Sequence, residues 1–368
     1  MAEFNQTSLI NETVSDYYGH HGLITSYGST SLLNGSLDVV VNGTAGAEVE
    51  PAAGAAAYAI PVYYSTLFRW IAASLGAIIF IVGVAGNVLV VLVISQTKFM
   101  HTTTNCYLVS LAIADCIVLL SATLPSIPEP FFQIDEWPFG RVMCSILVFL
   151  QYVGVNASSL SITAFTVERY IAICFPIRAQ TICTLSRAKR IIIVLWIFTT
   201  MYCCPWLGLT EIRVDRQVLK NVHKCVFRLK RHSYLVYYMT DLIIFYVIPL
   251  ILAAVLYCLI ARILFINSRI SHKFKNNANS KRIHKSRIQV VRMLAVIVLV
   301  FATLWMPYRV MVVYNSFASN KYVDLWFLLF SRTMVYANSA INPILYNVMS
   351  VKFRRAFRNH ILCDAKPM

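Results

Sequence analysis

The chain has 368 residues, 58% of them hydrophobic and only 13% charged, about half the charged share of an ordinary soluble domain. So much apolar surface excludes a set of water-soluble globular domains, which the length alone would allow. The net charge of +16 does not indicate a nucleic-acid partner, because the basic residues gather in short segments between long apolar runs.

Residues 1–62 are rich in Ser, Gly, Asn, Thr and Ala without helical periodicity and read as a flexible tail. No Lys or Arg precedes Arg69, whereas Glu3, Glu12, Asp16, Asp38, Glu48 and Glu50 lie in that stretch. Sequons begin at Asn5, Asn11, Asn34 and Asn42. Single sequons arise by chance; four in one tail favour a glycosylated, extracellular segment. The N-terminus lacks a basic stretch followed by an apolar core, so the first span is expected to act as an uncleaved signal anchor.

Seven apolar stretches fill residues 63–349, at roughly 66–95, 104–127, 141–173, 190–210, 234–266, 288–318 and 323–348. Each reaches the ~20 residues that a membrane-spanning helix needs. The expected fold is an all-α membrane protein, a seven-transmembrane helix bundle. The connectors orient it. Residues 267–287 hold Arg269, Lys273, Lys275, Lys281, Arg282, Lys285 and Arg287 with no acid, and Arg178, Arg187, Lys189 and Arg190 follow the third span. These belong inside and the sequon-bearing tail outside, at the plasma membrane. Residues 211–231 dissent, with seven basic residues on the outer side.

Residues 350–368 form the inner C-terminal segment. Phe353 and Phe357 share a face among Lys352, Arg354, Arg355 and Arg358, the pattern of a short amphipathic eighth helix on the inner leaflet. Cys363 beyond it is either a palmitoylation site or a plain free cysteine. The ten cysteines show no metal-like spacing.

Polar groups at membrane depth are costly and are functional candidates. Asp115 lies mid-span, with Asn87 in the first span and Asn338 and Asn342 in the seventh. This set either responds to a cation such as sodium or is a hydrogen-bonded packing cluster, and the cost of burying an unpaired charge favours the ion. Glu168 and Arg169 close the third span as a conformational switch or as a snorkelling interfacial pair. Pro249, Pro307 and Pro343 kink their helices, as pivots or as static packing.

These residues together resemble the rhodopsin-like class of G-protein-coupled receptors. The resemblance rests on Gly86-Asn87-Val88, Leu111 to Asp115, Trp137-Pro138-Phe139-Gly140 before Cys144, and Glu168-Arg169-Tyr170. It continues through Trp196, Pro249 with Tyr257, Phe301 with Trp305 and Pro307, and Asn342-Pro343-Ile344-Leu345-Tyr346. One motif is weak, but the set in order across residues 80–360 is specific. Within the class, Thr104 to Ala112, Gln151 to Ser159, Leu304 to Arg309 and Trp326 to Arg332 are similar to thyrotropin-releasing hormone receptors. The tail, 211–231 and 267–287 do not match vertebrate members, as in an invertebrate relative.

The resemblance implies recognition of a small amidated peptide by Tyr152, Asn156, Tyr308, Arg309 and Arg332. It implies activation through Asp115, Glu168, Arg169, Tyr257, Phe301, Trp305, Pro307, Asn342, Pro343 and Tyr346. It further implies a heterotrimeric G protein of the Gq family, with arrestin, as partners, and neither enzyme activity nor a cofactor. The residues agree. Tyr152 and Asn156 share one helix face, and an amide side chain suits an amide ligand. Asn156 could instead bond another helix, and Arg332 could form a salt bridge or snorkel outward. Gln151 stands where amine receptors carry Asp, and Tyr336 where opsins carry the retinal-binding Lys. A transporter is disfavoured because no internal repeat is visible. Cys144 opens the third span and Cys225 lies in the following outer connector, where oxidation is permitted, so a disulfide is expected between them.

Overall fold

The computed structural model describes residues 63–216, 221–273, 278–318, 320–349 and 351–361. The four sequon asparagines and Cys363 lie outside the described residues. Seven long helices form one bundle. The first is Thr66–Gln96, the second Thr103–Phe131, the third Gly140–Cys174 and the fourth Leu185–Leu209. The fifth runs from Arg231 to Lys273, the sixth is Ala278–Phe317 and the seventh Leu325–Met349. Hydroxyl side chains start several of them. Ser65, Thr102 and Thr184 each accept the backbone N–H three residues on, satisfying a donor that the first turn would leave bare.

Among the described residues, the first six helices are both long and apolar enough to cross a membrane. The seventh has 25 residues, or ~37 Å at 1.5 Å per residue, sufficient for a ~30 Å hydrocarbon core. Its lower apolarity comes from Ser331, Asn338, Ser339 and Asn342, all buried against its neighbours. The third helix is the hub, packed on the second, fourth, fifth and sixth. Trp196 donates its indole N–H to Ser110 at 3.0 Å, and Ser110 meets Ser161 at 2.9 Å. That chain ties the fourth, second and third helices together.

Helices extend beyond the apolar stretches: 267–273 continue the fifth helix and 278–287 begin the sixth. Once outside lipid, Lys- and Arg-rich sequence is a good helix former and the apolar span simply continues into it. The fourth helix likewise begins at Leu185, so Arg187, Lys189 and Arg190 lie on its first turns. The sequence pattern also gave no hint of two wide, π-type turns. They occupy Leu119–Thr123 and Ile243–Val247, and each ends two residues before a proline, Pro125 and Pro249. The wide turn makes room for the pyrrolidine ring where a tight helix would clash.

Outside, β1 (Thr210–Arg216) and β2 (Asn221–Phe227) form an antiparallel hairpin. Cys225 of β2 is disulfide-bonded to Cys144 at the head of the third helix. Trp137 packs on that bond and donates its backbone N–H to His223 at 2.6 Å. Inside, Val351–Ile361 is the expected eighth helix, with Phe353 and Ala356 buried against the bundle.

The second and third helices touch at Gly154. A Cβ there would lie 2.8 Å from Val118 Cγ2 and 3.0 Å from the Ala114 carbonyl oxygen. Backbone cannot yield as a side-chain tip can, so Gly154→Val should cost about 1–3 kcal/mol of stability. The measurement is the thermal unfolding of detergent-solubilised protein; an unchanged midpoint would refute this close approach.

Candidate ligand-binding site

Four of the five expected ligand residues converge in one buried cluster. Tyr152 and Asn156 come from the third helix, Tyr308 and Arg309 from the sixth, and none is more than 3% exposed. Tyr152 stacks on Trp206 at 3.9 Å between ring centroids. Arg309 lies over the rings of Trp305 at 5.1 Å and Tyr246 at 5.7 Å. A desolvated guanidinium on an aromatic face retains part of what it loses by leaving water.

The cluster contains an acid that the sequence reading passed over. Asp241 of the fifth helix is fully buried. Its Oδ1 accepts the Asn156 side-chain N–H at 2.7 Å, and it interacts electrostatically with Arg309, as does Tyr238. An Asp within Tyr238-Met239-Thr240-Asp241-Leu242-Ile243-Ile244 is the same signal that singled out Asp115, so it was there to be found. The bond realises the interhelical alternative for Asn156, while its Oδ1 has no hydrogen-bond partner among the described residues.

Arg332 is held differently. Its guanidinium makes a two-pronged ion pair with Glu129, at 3.0 and 3.3 Å. This is the salt-bridge alternative for Arg332, with a partner from the last turn of the second helix. The pair borders a narrow cleft between the first, second and seventh helices, lined by Tyr64, Phe68, Leu328 and Tyr336. A second cleft lies beside it, under the hairpin, and includes Tyr64, Glu129, Asp135, Trp137 and Lys224.

Below the cluster, Phe301 and Trp305 are buried one turn apart, with ring centroids separated by 6.2 Å. Asp115 accepts the Asn342 side-chain N–H at 2.8 Å, with Ser158 and Ser339 beside it. These are hard oxygen donors of the kind a small cation takes. Among the described residues, no group of three or more His, Cys, Asp or Glu suited to a metal ion occurs. At the inner end Arg169 pairs with Glu168 of its own helix at 2.7 Å. Thr166 and Tyr257 approach to 3.4 Å. Gln289 of the sixth helix donates to the Met349 carbonyl at the end of the seventh, at 2.7 Å. Tyr346 is buried and packs edge-on to Phe353.

The chain matches the family described as "7 transmembrane receptor (rhodopsin family)" over residues 86–346. It is 48% identical over 306 residues to the thyrotropin-releasing hormone receptor of Bos taurus, covering 78% of this chain and 76% of that one. The Homo sapiens thyrotropin-releasing hormone receptor is 47% identical over 305 residues, with 77% and 76% covered. The growth hormone secretagogue receptor type 1 of Mustela putorius furo is 33% identical over 308 residues, with 81% and 82% covered.

Outside the membrane, burial raises the Asp135 carboxyl to about 7; Lys224 opposes the shift, and Glu129 and Asp215 add to it. A raised acid binds its proton more tightly in the folded state. Its stabilising contribution is therefore full below the unfolded value near 3.8 and is lost as pH rises through about 7. Asp135→Asn should flatten the pH dependence of thermal stability between about pH 4 and 7. Parallel wild-type and variant melting curves across that range would contradict the assignment.

Proposed function

Since the chain belongs to the rhodopsin family of seven-transmembrane receptors, we propose that its agonist is a small amidated neuropeptide of the thyrotropin-releasing-hormone kind. The protein is a multi-pass receptor of the plasma membrane and not an enzyme. In this reading the tail before Tyr63 is extracellular and glycosylated at Asn5, Asn11, Asn34 and Asn42. The signal passes to Gq, phospholipase C and calcium, with arrestin as a further partner. The observation that carries the ligand class is the buried cluster of phenol, amide, carboxylate and guanidinium groups contributed by three helices. Such a cluster is costly without a polar ligand, and it suits amide groups, which both donate and accept.

Tyr152, Asn156, Tyr308 and Arg309 contact the peptide in the cluster, and Arg332 contacts it at the outer cleft in exchange for Glu129. Tyr152 and Arg169 are 17 residues apart on one helix, about 25 Å at 1.5 Å per residue. The ligand acts across that distance only by favouring an arrangement of helices that the G protein also favours. The sixth helix is the moving part. Trp305 lies beneath the cluster, Phe301 is one turn further in, and Pro307 weakens the helix between cluster and core. Outward movement breaks the Gln289–Met349 bond, frees Arg169 from Glu168 and lets Tyr257 and Tyr346 fill the gap. Asp115, Asn342 and Pro343 respond in parallel, and a sodium ion at Asp115 favours the closed form. Moving a 1:99 population to 99:1 needs about 5.5 kcal/mol of differential affinity, within reach of several pocket contacts acting jointly.

The test is binding of labelled thyrotropin-releasing hormone and inositol phosphate accumulation in the same transfected cells. Asn156→Ala should lower potency at least ~10-fold at matched surface expression, since a buried partner left unpaired costs about 1–3 kcal/mol. Arg169→Ala should abolish most signalling while binding stays measurable, and Trp305→Ala should lower efficacy more than affinity. A wild-type receptor silent to this peptide would reject the ligand class. Full signalling from Arg169→Ala would reject the coupling route.

A further inference from the structure

Asp241 does more than fill space between the third and fifth helices. A carboxylate only accepts hydrogen bonds. Because its Oδ1 takes the Asn156 Nδ2–H at 2.7 Å, the Asn156 amide has one orientation, with its nitrogen toward Asp241 and its oxygen turned away. Three fully buried atoms then have no hydrogen-bond partner among the described residues: Asp241 Oδ2, Asn156 Oδ1 and the Tyr152 hydroxyl. Two of the three are acceptors, and the third serves in either sense. Asp241 is the common element, since it leaves one acceptor free and sets the direction of the other.

We propose that Asp241 is a specificity-determining residue of the peptide site, which orients Asn156 and with it receives an amide N–H of the ligand. This rests on the reading of the chain as a receptor for an amidated peptide, and deepens it. A site presenting two acceptors binds a group with N–H donors and rejects a carboxylate, which brings only lone pairs and a second negative charge. The donor is a backbone, ring or terminal amide; the three sources share one chemistry and are separated by the test.

The test uses thyrotropin-releasing hormone and analogues in which each amide N–H is methylated in turn, on full-length receptor in intact cells. Wild-type receptor should lose at least ~10-fold in potency to one analogue, which identifies the donor. Asp241→Asn should lose at least ~10-fold to the parent peptide, and its further penalty for that analogue should fall below about threefold, with penalties for the others unchanged. The exchange variant Asn156→Asp with Asp241→Asn rebuilds the same hydrogen bond in reverse and again leaves two free acceptors. It should recover potency to within about threefold and restore the wild-type pattern of penalties. A structural role alone would lower expression or potency without changing the pattern across analogues. The proposal is overturned if Asp241→Asn reaches the surface with unchanged potency or an unchanged pattern, or if the exchange variant reaches the surface without the wild-type pattern. A wild-type receptor that ignores the parent peptide overturns the underlying reading instead.

Discussion

In the hydrocarbon of a bilayer a backbone carbonyl that loses its helical partner has no water to turn to. Prolines create such carbonyls four residues upstream, and here neighbouring helices answer two of them. Pro249 frees the Phe245 carbonyl, which accepts the Ser159 hydroxyl of the third helix at 2.5 Å. Pro343 frees the Ser339 carbonyl, which accepts the Asn87 side chain of the first helix at 2.8 Å. Each kink is thus secured by a polar side chain on another helix. Asn87 is buried because the seventh helix is broken, and the seventh can be broken because Asn87 is there. Close packing holds the helices together, and these cross-helix bonds add direction at two of the kinks.

The third helix turns that arrangement into a connection. Its outer end carries the disulfide to the hairpin, its middle presents Tyr152 and Asn156, and its inner end carries Glu168 and Arg169. The bonds along it differ in kind. Ser159 grips the fifth helix at a kink, Asn156 grips it through Asp241, and Arg169 pairs with Glu168 and lies over the Phe165 ring of its own helix. Near the same end, Gln289 of the sixth helix donates to the Met349 carbonyl of the seventh. A neutral hydrogen bond is worth about 1 kcal/mol net, so this tie between the sixth and seventh helices is a weak one.

The outer surface has its own economy of charge. The basic excess of residues 211–231 is partly internal, since Lys224 reaches Asp215 at 3.0 Å and Asp135 at 3.6 Å, while Arg213 pairs with Glu211 at 2.9 Å. Of these, the Lys224–Asp135 pair ties the hairpin to the segment between the second and third helices.

Much of this was legible in the residues. Span number, the outer disulfide and the eighth helix follow from hydrophobic run length, cysteine placement and the Phe353–Phe357 spacing. Those are local properties, set by how lipid and water partition each stretch of chain. The convergence of Tyr152, Asn156, Tyr308 and Arg309 followed from motif resemblance, and their burial together agrees with it. What the sequence could not carry were pairings between distant positions. Nothing local marks Glu129 as the partner of Arg332, Asp241 as the partner of Asn156, or Ser159 as the cap of the carbonyl freed by Pro249. Nor did periodicity reveal the wide turns before Pro125 and Pro249, which a helical pattern of apolar residues tolerates without a visible break. A polar side chain in a membrane announces that it must have a partner. Which partner it takes is decided only when the helices pack, because hydrogen bonds depend on ångström-scale approach between segments that the chain order keeps far apart.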